Sequence, residues 1–200
     1  RITSAYNLRE SVGLVSSENN TYRLIHGEGD FLPGLVIDVY ANTAVIQAHS
    51  IGMHLQRLQI AEAVIKVVPG VENVYYKSDD TLPFKATIEG DRVGYLIQTQ
   101  TVMPDEFWAK ENDLYFRIDW LKGQKTGFFV DQRENRALLE RYARGRDVLN
   151  MFCYSGGFSV YALRGGAHLV HSVDVSEKAI ALVRDNVHYN FPTQTNHEAY

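Results

Sequence analysis

A glycine turn between two short apolar runs constrains the fold of this chain more than any other feature. The first run extends from Val148 to Phe152 and is followed by Ser155-Gly156-Gly157. A helical pattern then leads to a second apolar run, Leu169 to Val173, which ends on Asp174. Short apolar runs bounded by turn residues are typical of buried parallel strands. The order predicts a strand, a glycine turn, a helix and a second strand that ends on an acid.

The spacing of these residues favours a ligand that contains adenosine. Asp174 lies 18 residues after Gly156, a distance at which nucleotide-binding βαβ units present a carboxylate to the ribose hydroxyls. The dinucleotide motif requires three spaced glycines, whereas only Gly156 and Gly157 are present here. NAD is therefore a poor candidate. A purely structural alternative is that the glycines form only a turn and that Asp174 precedes a helix capped by Ser176.

Several longer segments carry a family resemblance. They are G-Q-K-T-G-F-F-V-D-Q-R-E-N-R (Gly123 to Arg136), V-L-N-M-F-C-Y-S-G-G-F-S-V (Val148 to Val160), S-V-D-V-S (Ser172 to Ser176) and, upstream, Y-R-L-I-H-G-E-G-D-F-L-P-G-L-V-I-D-V-Y (Tyr22 to Tyr40). Together they resemble the bacterial methyltransferases that modify cytosine C5 of 23S (large-subunit) ribosomal RNA. In that family a PUA domain and a central mixed α/β domain precede a class I S-adenosylmethionine domain.

The resemblance implies an α/β protein with two parts. Residues 1–118 would form a small α+β domain of the order strand-strand-helix-strand-strand, which we expect to contact RNA. Residues 119–200 would form the first part of a Rossmann-like class I methyltransferase domain. The chain begins with Arg1 rather than Met, and doubly wound sheets commonly have about five or more strands. We therefore expect a piece of a longer protein that continues beyond Tyr200.

Local patterns predict the individual elements. A helix is predicted near Ile2 to Val12, and a meander of three antiparallel strands follows it. The strand patterns are Tyr22 to Ile25, Gly34 to Tyr40, Ala44 to His49, Val71 to Tyr76, Phe84 to Ile88, Val93 to Thr101 and Leu114 to Ile118. Further helices are predicted at His54 to Val68, Asp131 to Ala143 and Glu177 to Asn190, with turns at Asp79-Asp80 and Asn112-Asp113. Between Val148 and Tyr200 only two sheet strands are recognisable.

The resemblance also implies a binding site for S-adenosylmethionine. Asp174 would accept hydrogen bonds from the ribose hydroxyls, so its replacement by Asn should weaken cofactor binding and leave the unliganded stability nearly unchanged. Arg133 suits the carboxylate of the methionine moiety. One wall of the site would consist of Phe152, Tyr154, Ser155 and Gly156, and the opposite wall of Thr126, Phe128, Asp131, Gln132 and Arg133.

No catalytic residue is expected within these 200 residues. Methylation of cytosine C5 requires a thiolate that attacks C6, and Cys153 is the single cysteine. Because Cys153 lies in the predicted cofactor loop, we expect the nucleophile downstream of Tyr200. A single cysteine also allows no internal disulfide. His168 and His171 would point to opposite faces of a strand, so no metal site is predicted.

The charge distribution gives a weak prediction of RNA contacts. The net charge is −4, which does not by itself indicate a nucleic-acid-binding protein. The segment from Arg117 to Asp147, however, contains eight basic and five acidic residues. On a helix, Leu138, Leu139, Tyr142 and Ala143 would share one face and Arg133, Arg136 and Arg144 the opposite face. Lys125, Arg136 and Arg144 are therefore predicted to contact RNA phosphates, although a merely solvated helix face is an alternative.

Composition sets the remaining expectations. The chain is 45% apolar and 22% charged, as in ordinary globular domains, and no apolar run approaches the length of about 18 residues needed for a membrane span. We expect a cytoplasmic protein with ribosomal RNA as its partner. Two alternatives stay open: a methyltransferase of another substrate class, such as protein or a small molecule, and a non-catalytic RNA-binding fragment. The target nucleotide and the oligomeric state are not predicted.

Overall fold

The computed structural model describes residues 1–83, 90–99 and 106–200. The chain forms two compact units that interleave in sequence: unit 1 is Arg1–Lys110 with Asp119–Val130, and unit 2 is Glu111–Ile118 with Asp131–Tyr200. The predicted domain boundary near Asp119 is one of the three points at which the chain passes between the units. The predicted strand Phe84 to Ile88 lies outside the described residues, as do Thr101 and Asp105.

Within the described residues, unit 1 is built on a five-stranded sheet. Its order is β1 (Thr21–His26), β2 (Leu35–Tyr40), β3 (Thr43–Ala48), β4 (Asn73–Lys77) and β5 (Val93–Ile97). β1, β2 and β3 pair in antiparallel fashion, which confirms the predicted meander. β3 and β4 are parallel, and β4 and β5 are antiparallel. The elements are α1 (Ile2–Ser11), β1 (Thr21–His26), a 3-10 turn (Gly27–Asp30), β2 (Leu35–Tyr40), β3 (Thr43–Ala48), α2 (Ile51–Leu55), α3 (Arg57–Val67), β4 (Asn73–Lys77) and β5 (Val93–Ile97).

The two faces of this sheet differ in character because side chains alternate along each strand. One face carries the apolar core, in which Leu24, Ile37 and Ile46 are fully buried together with Ala61 and Val64 of α3. Burial of apolar area of this kind is the main stabilising contribution to a small domain. The core therefore lies between the sheet and the helices.

The opposite face of the sheet carries polar residues such as Asp38 and Gln47 beside Tyr40 and Val45, and the segment Asp119–Val130 packs on it. Trp120 of this segment stacks on Tyr40, with ring centroids 6.3 Å apart and an interplanar angle of 7°. The Lys77 ammonium donates a hydrogen bond to the carbonyl oxygen of Gly123. The K-G-Q-K-T-G-F-F motif is therefore anchored on the sheet of unit 1.

Unit 2 contains a parallel sheet among the described residues, in the order β10 (His197–Ala199), β9 (Leu169–Val173) and β8 (Asp147–Met151). The elements that complete the chain are β6 (Trp108–Glu111), β7 (Leu114–Arg117), a 3-10 turn (Val130–Gln132), α4 (Arg133–Ala143), β8 (Asp147–Met151), α5 (Gly157–Arg164), β9 (Leu169–Val173), α6 (Glu177–Asn190) and β10 (His197–Ala199). The predicted strand, turn, helix and strand order is confirmed. The prediction of only two strands after Val148 is wrong, because β10 pairs with β9 although its sequence, His-Glu-Ala, has no apolar run.

The predicted faces of α4 are also wrong. Its buried residues are Arg136 and Ala143, which lie seven positions apart and therefore on one side of the helix. Leu138 and Tyr142 are instead 48% and 64% exposed. The buried face of α4 is the one that carries Arg136, which pairs with Glu111, and not the one that carries Leu138 and Tyr142. Among the described residues, no helix has the length and hydropathy of a membrane span.

Candidate functional site

The loop between β8 and α5 has an unusual backbone. Phe152, Tyr154 and Gly156 adopt left-handed conformations, with φ of 55°, 48° and 73°. Such conformations cost about 1–3 kcal/mol for residues other than glycine and are concentrated at functional sites. The N–H of Cys153 donates to the carbonyl of Val173 at 3.1 Å. This bond fixes the loop at the carboxyl ends of β8 and β9, where open α/β sheets bind ligands.

Asp174 connects this loop to the start of α6. Its Oδ2 accepts the backbone N–H of Tyr154 at 2.9 Å, and its Oδ1 accepts that of Ser176 at 3.0 Å. The Ser176 hydroxyl caps α6 by accepting the N–H of Ala179 at 3.3 Å. A carboxylate offers about four acceptor positions. Asp174 therefore has a structural role and retains acceptor capacity for ligand hydroxyls.

Gly156 allows the loop to lie directly against α6. A Cβ atom at this position would lie 2.9 Å from Cγ2 of Val183, and the φ of 73° disfavours any side chain. Gly156 is also the N-cap of α5, which has no side-chain capping bond. The helix N-terminus thus presents backbone N–H groups next to the loop, an arrangement that favours anionic groups.

Asn186 of α6 anchors the loop between β8 and α5 by hydrogen bonds, and the sequence did not predict this role. It is fully buried, its Nδ2 donates to the carbonyl of Ser155 at 2.7 Å, and its Oδ1 accepts the N–H of Arg117 at 2.7 Å. One asparagine within an amphipathic helix gives no periodic signal. Its role depends on chain segments that are distant in sequence.

Comparisons with known proteins decide the family. Residues 97–195 match the model of the S-adenosylmethionine-dependent methyltransferases. Ribosomal RNA large subunit methyltransferase I of Tolumonas auensis is 42% identical over 172 residues, which are 86% of this chain and 42% of that protein. The chain belongs to the S-adenosylmethionine-dependent methyltransferases. The resemblance inferred from the sequence is confirmed, and the chain spans less than half the length of this relative.

Solved structures extend the family likeness to three dimensions. A proposed SAM-dependent methyltransferase from Streptococcus mutans has a TM-score of 0.82 and 27% identity, over 99% of this chain and 50% of that one. A proposed methyltransferase solved in complex with S-adenosylhomocysteine (SAH) has the same score and identity, over 99% of this chain and 49% of that one. The predicted α/β methyltransferase fold and the predicted cofactor class agree with these relatives.

Cys153 lies in the loop between β8 and α5 but is poorly suited to act as a nucleophile. Its side chain is buried. Burial, and secondarily the Asp174 carboxylate, raises the pKa of the Cys153 thiol to about 11. The reactive form of a cysteine is the thiolate, which is therefore scarce near neutral pH. This agrees with the expectation that Cys153 is not the methyltransferase nucleophile.

Arg136 forms a buried ion pair, so the prediction that it contacts RNA phosphates is wrong. Its Nε and one terminal nitrogen lie 2.9 and 2.7 Å from the Glu111 carboxylate, and Tyr161 donates to the same carboxylate at 2.9 Å. A Cβ on Gly157 would lie 3.0 Å from Cδ of Arg136. The arginine thus supports the first residue of α5, immediately after the loop.

Thr126 also has a structural role. Its hydroxyl donates to Oδ2 of the buried Asp38 at 2.6 Å and lies 2.8 Å from the Tyr40 hydroxyl. The Thr126 hydroxyl is therefore engaged within unit 1, and the place of Thr126 in a wall of the cofactor site stays a prediction. The carbonyl oxygen of Phe128, also in unit 1, accepts a bond from Tyr40 at 3.4 Å.

The remaining predicted residues lie as follows. Asp131 is exposed, Gln132 is partly buried, and the Arg133 side chain is 13% exposed with its Nε 3.3 Å from the Glu134 carboxylate. Lys125 is exposed in unit 1, where its ammonium lies 4.3 Å from the centre of the Phe129 ring, and Arg144 is exposed in unit 2. Within residues 1–83, 90–99 and 106–200, no group of three or more His, Cys, Asp or Glu side chains could hold a metal ion.

Proposed function

We propose that this chain carries the S-adenosylmethionine-binding part of an enzyme that methylates cytosine C5 of large-subunit ribosomal RNA. The observation that carries the proposal is the loop from Phe152 to Gly156, which is held by Asp174 at the carboxyl ends of two parallel strands. The relative from Tolumonas auensis, whose name specifies ribosomal RNA, supports the substrate class.

The residues of unit 2 suit S-adenosylmethionine in chemistry and spacing. This cofactor supplies an electrophilic methyl group when it is bound. Asp174 would accept the ribose hydroxyls with the acceptor positions that Tyr154 and Ser176 leave open. Phe152, which is 84% exposed, would contact the apolar part of the ligand. The amides of Ser155 and of the first turn of α5 would face its polar groups, whereas the Gly156 N–H donates to the carbonyl of Cys153 at 2.8 Å.

The segment around the start of α4 would bind the amino-acid end of the cofactor. Arg133 offers a guanidinium to a carboxylate, a pairing that forms strong charge-assisted hydrogen bonds. Asp131 would pair with the ammonium, and Gln132 would contribute to the same wall. These assignments rest on the family resemblance together with the position of Asp131 and Arg133 at the N-terminus of α4.

The catalytic thiolate would be supplied by a cysteine outside these 200 residues. The raised pKa of Cys153 and its burial support this division of roles. Within the present chain, the residues would bind the cofactor and orient it, and would exclude water from its sulfonium. We therefore expect that the 200-residue chain alone transfers no methyl group to RNA. The complete enzyme would carry out this transfer, and we expect it in the cytoplasm.

Calorimetric titration with SAH tests the cofactor site. Asp174→Asn should weaken binding by at least about tenfold, equivalent to about 1.4 kcal/mol, because the charged acceptor is lost. Asp147→Asn is the matched control, since Asp147 lies at the opposite end of β8 and is paired with His168 at 2.7 Å. Equal dissociation constants for Asp174→Asn and the unchanged protein would remove Asp174 from the site.

Transfer of a labelled methyl group tests the substrate. The complete gene product should label unmodified 23S ribosomal RNA at a cytosine C5, as identified by nucleoside mass spectrometry. Label found in protein or in a small molecule would favour the second function. RNA binding without any transfer would favour a non-catalytic role.

A further inference from the structure

Unit 1 contains a cleft of about 620 Å³ on the face of its sheet opposite to the apolar core. This volume lies within the range of about 300–1,000 Å³ that is usual for ligand sites. The cleft is formed by β1 to β4, the turn that follows β4, and the start of the segment Asp119–Val130. Its lining residues are Arg23, Val36, Gln47, His49, Lys77, Asp79, Asp80, Thr81, Lys122, Gly123, Gln124 and Lys125.

Four cationic side chains converge on the cleft from separate parts of unit 1. Arg23 comes from β1, Lys77 from β4, and Lys122 and Lys125 from the covering segment. Two acids, Asp79 and Asp80, lie in the turn after β4 and are exposed. Among the lining residues four cations thus accompany two acids, while Asp38 pairs with Arg23 and Asp119 acts on Lys77 from outside the lining.

Two of these cations are held in place by the fold. Arg23 forms two hydrogen bonds of 2.8 and 3.0 Å with Asp38, whose side chain is fully buried. Lys77 donates to the carbonyl of Gly123 and is half-buried, and this burial lowers the pKa of its ammonium despite the opposing effect of Asp119, Asp79 and Asp80. A desolvated ammonium of this kind gains more from an additional anion than an exposed one does.

The other two cations are exposed at the outer side of the cleft. Lys122 and Lys125 are three residues apart and flank Gly123 and Gln124. Gln47 and Gln124 add side-chain amides, which can donate to an anion or to a sugar hydroxyl. Lysine and amide groups in one cleft are the chemistry that proteins use on phosphate and sugar groups of nucleic acids.

We propose that this cleft binds a phosphate of the RNA substrate, with Lys122 and Lys125 contacting the phosphodiester and Lys77 adding positive potential beneath it. The proposal rests on the proposed function, because that function supplies the RNA. It adds a contact site in unit 1 that is separate from the cofactor loop of unit 2. The acids Asp79 and Asp80 would keep the RNA on the lysine side of the cleft.

The test is RNA affinity of the complete gene product as a function of salt concentration. Lys122→Ala with Lys125→Ala should weaken binding of a 23S ribosomal RNA fragment by about tenfold or more. The plot of log affinity against log salt concentration should also become less steep. Its negative slope should shrink in magnitude by about 1.4 to 1.8, since each of the two phosphate contacts contributes about 0.7 to 0.9. Lys66→Ala with Lys178→Ala is the control, because both lysines are exposed, lie outside the cleft and carry the same charge.

Further variants separate this proposal from its rivals. Lys122→Arg with Lys125→Arg should retain affinity, and Asp79→Asn with Asp80→Asn should increase it. Equal losses of RNA affinity in the alanine pair and the control pair would show that only the total charge matters, and would overturn the proposal that the cleft binds RNA. A free 5′-mononucleotide that binds tightly, with RNA affinity indifferent to the lysines, would also overturn it in favour of a small phosphate ligand.

The experiments distinguish failure of the proposal that the cleft binds RNA from failure of the proposed function. If the unchanged protein binds RNA and the alanine pair binds it equally well, the cleft is wrong and the function stands. If the unchanged protein binds SAH but no RNA, the proposed RNA substrate is wrong. In every variant, unchanged SAH affinity is expected and serves as the check that unit 2 is folded.

Discussion

The guanidinium of Arg136 and the carboxylate of Glu111 form a two-bond ion pair in which the side chains are 2% and 0% exposed. Removal of one member of such a pair leaves an uncompensated buried charge, which costs about 3–5 kcal/mol. Replacement of both members by apolar residues is often far less harmful. The pair therefore supports the start of α5 only as long as it is complete.

Arg136→Met should lower the free energy of unfolding by about 3–5 kcal/mol, as measured by urea denaturation. Arg144→Met, in the exposed position after the same helix, should change it by less than about 0.5 kcal/mol. The double variant Glu111→Leu, Arg136→Met should be more stable than Arg136→Met alone. If Arg136→Met and Arg144→Met were equally mild, the buried ion pair would not stabilise unit 2.

Gly156→Ala should destabilise unit 2 more than Gly145→Ala. Both glycines have a φ near 70°, but a Cβ on Gly156 would meet Val183 at 2.9 Å, whereas a Cβ on Gly145 would have no neighbour within 4 Å. Gly145→Ala thus measures the backbone strain alone, and the difference measures the contact with α6. Val183→Ala combined with Gly156→Ala should recover part of that difference in urea denaturation. Equal losses for the two glycine variants would mean that the loop can move away from α6.

Asp174→Asn should lower the unliganded stability by about 1–3 kcal/mol, in addition to its effect on SAH binding. The sequence led us to expect no change, but the carboxylate accepts the N–H groups of Tyr154 and Ser176. Hydrogen bonds to a charged group contribute about 1.5–3 kcal/mol each, and Asn keeps one neutral acceptor. Urea denaturation without ligand is the measurement. A variant with unchanged stability and weakened SAH binding would restore the original expectation.

The Cys153 thiol should react with iodoacetamide about 100-fold more slowly than an exposed cysteine at pH 8. Its pKa of about 11 is raised from the usual 9.0, and the thiolate fraction falls about tenfold for each unit of pKa. The rate should rise with pH up to about 11, and urea should abolish the protection. Rapid alkylation of the folded protein at pH 8 would contradict the buried, protonated thiol.

The same pKa predicts the pH dependence of stability. Because the folded-state pKa lies above the unfolded value, the contribution of Cys153 is fully present below about pH 9 and is lost as pH rises toward about 11. Cys153→Ser should flatten the decline of the unfolding free energy within that window. An identical decline in both proteins would assign it to other groups.

The elements that the sequence predicted well are those whose signals are local. β9 has the predicted bounds because Leu169, Val170 and Val173 lie between Gly165-Gly166 and Asp174, and α6 has the predicted bounds because Ser176 caps its start. β10 was missed because its residues, His197 to Ala199, become a strand only through pairing with β9.

The site shows the same limit. The glycine turn and Asp174 were found from spacing, and the family from longer motifs. Arg136 was misassigned because a pattern of apolar and polar residues treats every arginine as exposed. Its partner Glu111 lies 25 residues upstream, and such a pairing leaves no periodic trace. Asn186 was missed for the same reason, and the partner of the Thr126 hydroxyl, Asp38, is likewise distant in sequence.

The interleaving of the two units limits how the gene can be divided. Residues 111–118 belong to unit 2, but the 12-residue segment Asp119–Val130 separates them from the rest of that unit. An expression boundary at 119 or 131 would omit Glu111 and encode an arginine with no counterion in the interior. A gene segment that encodes all of unit 2 must therefore also encode the stretch of unit 1 that interrupts it.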